Sequence, residues 1–71
     1  MKKYYTLILR WMGVSRIEAY KDAKEFGKRV GELIEFFDAP STIGTWSTNA
    51  KSDDEAIEKA KDFFYEDGWQ L

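Results

Sequence analysis

The segment Tyr4 to Met12, YYTLILRWM, constrains the chain most, because it is apolar in both phases of a two-residue repeat. Tyr5, Leu7, Leu9 and Trp11 fall on one side, Tyr4, Thr6, Ile8 and Arg10 on the other. Aromatic and β-branched side chains pack well on a pleated surface. A strand with apolar residues on both faces belongs in the middle of a sheet. Gly13 ends it.

Two S-x-x-E patterns, Ser15 to Glu18 and Ser52 to Glu55, have the form of a capping box, in which the serine accepts from an amide three residues on. After the first, Ala19, Tyr20, Ala23, Phe26, Gly27 and Val30 share one helical face, with Glu18, Lys21, Glu25 and Lys28 opposite. That predicts a helix ending near Gly31. LIEFFD (33–38) reads as a strand, Pro40 and Ser41 as a turn, and TIGTWSTN (42–49) as a strand returning beside it. Gly44 within that strand marks a bulge or a close approach. After the second box, Ala56, Ile57, Ala60, Phe63 and Phe64 form the stripe of a second helix that Gly68 closes, and Trp69 to Leu71 reads as a short last strand.

The predicted order is β-α-β-β-α-(β), a ferredoxin-like α+β two-layer sandwich with both helices on one face of an antiparallel sheet. Leu7, Leu9, Trp11, Ala23, Phe26, Val30, Ile57, Ala60 and Phe64 are its expected core. With 71 residues the chain is expected to form a single domain spanning 1–71.

The chain contains neither Cys nor His, which removes disulfides, thiolate nucleophiles, the commonest general base and most transition-metal sites. Asp53, Asp54 and Glu55 have a simpler role at a helix N-terminus, meeting the positive end of the helix dipole. No EF-hand spacing occurs, and Gly27 to Gly31 lacks the form of a phosphate-binding loop. The expectation is a protein without catalysis, cofactor or metal. The apolar stretch near the start is cut short by Arg10, with no cleavage pattern after it and no run near the ~18 apolar residues of a membrane span. A cytoplasmic protein is expected.

An uncovered sheet face carrying Tyr4, Ile8, Phe36 or Phe37, and Trp46 could stack bases as RNA-recognition domains do. The net charge of −2 and the lack of an RNP1 pattern oppose direct nucleic-acid binding. The same aromatics read as core or as a self-association surface, and a homodimer is expected.

Charge is unevenly spread. Residues 1–31 carry eight basic side chains against three acidic, whereas residues 32–71 carry three basic against ten acidic. On the second helix Glu55, Glu58, Asp62 and Glu66 project together opposite the apolar stripe, with Asp54 near them. One reading is a solvated face partly neutralised by a basic first helix alongside. The other is a recognition face for a basic partner.

The run from Ala50 to Ala60, AKSDDEAIEKA, resembles the strand-to-helix junction of small phage-encoded early proteins. The likeness covers about a quarter of the chain and consists of an acidic capped helix beside abundant aromatics. It implies a host-takeover inhibitor that binds one host protein in the host cytoplasm. The implied targets are a basic nucleoid protein such as HU, RNA polymerase or a defence complex. On the recognition reading of the second helix, Asp54, Glu55, Glu58, Asp62 and Glu66 are the partner-binding residues, acting as a nucleic-acid mimic. The alternative is a homodimeric structural or regulatory module using an open aromatic sheet face.

Overall fold

A computed structural model describes residues 1–37 and 42–71. The elements are β1 (Lys2–Trp11), β2 (Val14–Tyr20), α1 (Ala23–Phe37), β3 (Ile43–Ala50) and α2 (Asp53–Glu66). The three strands form an antiparallel sheet in the order β2-β1-β3. The α+β class therefore holds, with β1 central as its two apolar phases require.

The element order differs from expectation in its first half. Met12 and Gly13 both take positive φ, 51° and 81°, which turns β1 back on itself through a two-residue loop. That backbone matches the twist of paired strands, so Ser15 to Tyr20 continues as β2 and its S-x-x-E pattern caps nothing. The cap of α1 is Asp22, whose carboxylate accepts from the amide of Lys24 at 2.9 Å. Helix α1 then runs through Gly31 and takes in most of the expected LIEFFD strand. Its apolar face is Phe26, Val30 and Leu33, spaced at i, i+4 and i+7. The expected turn at Pro40 and Ser41 and the end of that strand at Asp38 lie outside the described residues, as does the side chain of Phe37.

The placement of the helices also differs. Leu7 and Leu9 of β1 pack against Leu33 of α1, whereas Ile8 packs against Ala60 and Phe64 of α2, and Tyr4 against Ala56. Successive strand residues point to opposite faces, so the helices lie on opposite sides of the sheet rather than together on one. The 34 × 26 × 15 Å extents agree: a narrow three-stranded ribbon with a helix on each side. Tyr4, Thr6, Leu7 and Ile8 are consequently all buried on one short strand. Of the expected core, Leu7, Leu9, Ala60 and Phe64 are buried, Phe26, Val30 and Ile57 are half-buried, and Trp11 and Ala23 are exposed.

Helix α2 follows its sequence signals closely. Ser52 accepts from the Glu55 amide at its start. At its end Gly68 takes φ 98°, its amide donates to Tyr65 O, and the Trp69 amide donates to Phe64 O at 3.0 Å. This is a Schellman ending, completed by an edge-on contact between the rings of Phe64 and Trp69. The last residues form no strand. They are instead tied to the sheet: Arg10 donates to the Gln70 carbonyl and side chain, and Ser15 Oγ donates to the same carbonyl at 2.6 Å.

Candidate protein-binding surface

Helix α2 presents the five carboxylates singled out from the sequence. Asp54, Glu58, Asp62 and Glu66 are exposed, and Glu55 is half-buried. Two of the five are engaged: Glu55 pairs with Lys59 at 3.4 Å and Glu58 with Lys61 at 3.6 Å. Asp53 and Glu55 lie near the buried Tyr4 hydroxyl. Burial first, then the Asp53 carboxylate and the charge of Glu55, raise the Tyr4 phenol above its ordinary value.

Asp54, Glu58, Asp62 and Glu66 form an unbroken i, i+4 row, which rises ~6 Å per step and spans ~18 Å. Like charges at that spacing each cost a helix about 0.2–0.5 kcal/mol. At the N-terminal end the dipole offsets this, and Asp53, Asp54 and Glu55 in the first turn benefit from it. At the other end the dipole is negative, Glu66 stands in a last turn that has no basic residue, and Asp67 follows. Local helix energetics give no reason for Glu66 and Asp67 at this end.

Neutralisation by a neighbouring helix is not available either. Helix α1 lies across the sheet from α2, and its Arg29 is already held by Glu18 of β2 through two bonds of 3.0 and 3.1 Å. Glu18 also accepts from the Tyr20 hydroxyl at 2.6 Å. The Arg29 bonds chiefly hold the Glu18 carboxyl below the usual carboxylate range, with Tyr20 adding to them against some desolvation. This cluster was hidden from sequence reasoning because it needs β2, which the serine pattern disguised.

The expected open aromatic face is covered. Tyr4 and Ile8 are buried beneath α2, and Trp46 stacks on Phe63 with ring centres 4.5 Å apart. Phe36 is exposed, but on α1 rather than on the sheet. Among the described residues, no cluster of acidic side chains has a form that could hold a metal ion, and no helix is long and apolar enough to cross a membrane.

Comparison with protein-family models, with curated proteins and with solved structures finds no match. The surface itself carries the functional argument.

Proposed function

We propose that this chain is a small non-catalytic binding protein whose helix α2 competes with nucleic acid for a basic protein. The observation that carries the reading is the row Asp54-Glu58-Asp62-Glu66, exposed along one helix and continued to Glu66 in the last turn, where the dipole disfavours acid. A sequence that breaks a local rule without local compensation does so most often where function requires it. Regular steps of ~6 Å set the carboxylates at a spacing comparable to successive phosphates on one strand. A Lys/Arg-lined groove would meet the row in a steered, salt-sensitive encounter. The targets that fit are those implied by the phage-inhibitor resemblance: a nucleoid protein such as HU, RNA polymerase or a defence complex.

Displacement of fluorescent duplex DNA from each of these proteins tests the reading. The parent chain should displace DNA at low salt and lose potency as salt rises. Joint reversal of Glu58→Lys and Asp62→Lys should weaken displacement about tenfold or more. Equal potency in a folded variant would overturn the mechanism.

Self-association has one observation of its own. Trp11, Met12, Val14 and Phe36 are exposed at the end of the molecule where the hairpin tip approaches the end of α1. A patch of this kind favours a homodimer through that end, and sedimentation of a Met12→Ser, Val14→Ser variant against the parent decides it.

A further inference from the structure

Strand β3 is an edge, bonded to β1 and to no other strand among the described residues. Two side-chain bonds show which of its backbone groups face outward. Thr6 Oγ1 of β1 donates to the Trp46 carbonyl at 2.7 Å, so that carbonyl points inward. Lys59 Nζ, from α2, donates to the carbonyl of Asn49, three residues on, at 2.8 Å. Direction alternates along a strand, so Thr45 and Ser47 turn their N–H and C=O groups outward, as Asn49 does. Edge strands are usually protected by charge or proline, and IGTWSTNA has neither.

Both sides of this edge are shaped. Towards α1 lies a cavity of about 390 Å³ lined by Tyr5, Phe26, Thr45, Trp46 and Ser47. Towards α2, Phe63 stacks on Trp46; next round that flank on the helical wheel comes Lys59, already held by Glu55 and the Asn49 carbonyl, and then Glu66 and Asp62. We infer that β3 takes up an extended segment of a basic protein as a fourth strand. Alternate side chains of that segment would be Lys or Arg facing the α2 carboxylates and apolar residues entering the Tyr5–Phe26 cavity. This rests on the reading of α2 as a surface for a basic partner, and adds how the partner is held. A second copy is disfavoured here, because two-fold pairing of β3 strands would set two acidic α2 flanks face to face.

The probe is a short peptide alternating lysine with valine, matched in length to β3, with amide hydrogen exchange followed residue by residue. Binding at low salt should slow exchange at Thr45 and Ser47. Thr45→Pro removes one outward N–H at an edge, where proline is tolerated, and should weaken binding about tenfold. Thr45→Val keeps the N–H and should bind like the parent. A helix-forming peptide of similar charge that binds as well, with no slowing at Thr45 and Ser47, would overturn strand addition and leave the acidic-helix reading standing. Failure of every lysine peptide to bind at low salt would overturn both. Concentration-dependent slowing of the same amides without peptide would assign the edge to a second copy and overturn the inference.

Discussion

The indole of Trp69 stands over Gly44. A β-carbon on that glycine would lie 2.8 Å from Trp69 Cζ2, closer than such atoms approach, and 3.0 Å from Ile8 Cγ2, a tight contact. The ring has little freedom to withdraw, because its backbone is fixed by the Schellman ending of α2 and it also packs edge-on against Phe64. Gly44→Ala should therefore destabilise the fold by about 1–3 kcal/mol, the usual range for overpacking. Adding Trp69→Leu should recover part of that loss. A parent-like urea midpoint for the single variant would show that the ring is not held there.

Met12 sits at φ 51° in the hairpin loop, a region that costs a residue with a side chain about 1–2 kcal/mol. Asparagine tolerates it, and Asn-Gly is the preferred pair for this turn. Met12→Asn should raise stability by up to about 1 kcal/mol, and since Met12 is 85% exposed, no packing is lost to mask the gain. Thermal melts of parent and variant provide the check. An unchanged or lower melting temperature would count against the two-residue turn.

Much of the fold is legible in the sequence where local and tertiary signals agree. The two apolar phases of YYTLILRW place β1 at the centre, Ser52 and Gly68 bracket α2, and Gly44 marks a close approach. The first half misleads for a physical reason. Ser15 to Glu18 has the side chains of a helix cap, but the Met12–Gly13 backbone has already committed the chain to a hairpin with seven paired positions. Placing α1 on the far side of the sheet then leaves the α2 acids without the basic neighbour that the sequence suggested. The five carboxylates were legible as a helix face. The outward groups of Thr45 and Ser47 were not, because edge status depends on strand order, which periodicity does not encode.

Glu18 links the packing of α1 to pH. Its carboxyl is held below the usual range, so the unfolded chain takes up the proton first as pH falls. The pair's contribution is therefore complete above the ordinary carboxylate value and is lost as pH drops through the folded one. With Arg29 about a third exposed, solvent screening limits the pair to about 1 kcal/mol. Glu18→Gln should lower the urea midpoint at neutral pH and flatten its fall in acid. Tyr20 acts at the other end of the scale: burial, then its bond to Glu18, raises its phenol. That contribution is present below the ordinary tyrosine value and is lost as pH rises through the raised one. An acid limb in Glu18→Gln as steep as the parent's would assign the pH dependence to other carboxylates.

The α2 row allows stability and binding to be separated in one substitution. Asp62 has Glu58 one turn before it and Glu66 one turn after, and it lies in the half of the helix where the dipole favours cations. Asp62→Lys converts two like-charge i, i+4 relations into attractive ones. The nearest new repulsion is with Lys59, whose ammonium is already engaged by Glu55 and the Asn49 carbonyl. Together these changes should raise stability by about 0.5–1.5 kcal/mol. The same substitution removes a central charge from the proposed partner surface, so DNA displacement should weaken while the melting temperature rises. Opposed changes of that kind mark a residue retained for function at a cost to the fold. Unchanged displacement with a raised melting temperature would show that Asp62 plays no part in binding. A fall in both would mean that its carboxylate supports the fold directly, contrary to its exposed position on the wheel.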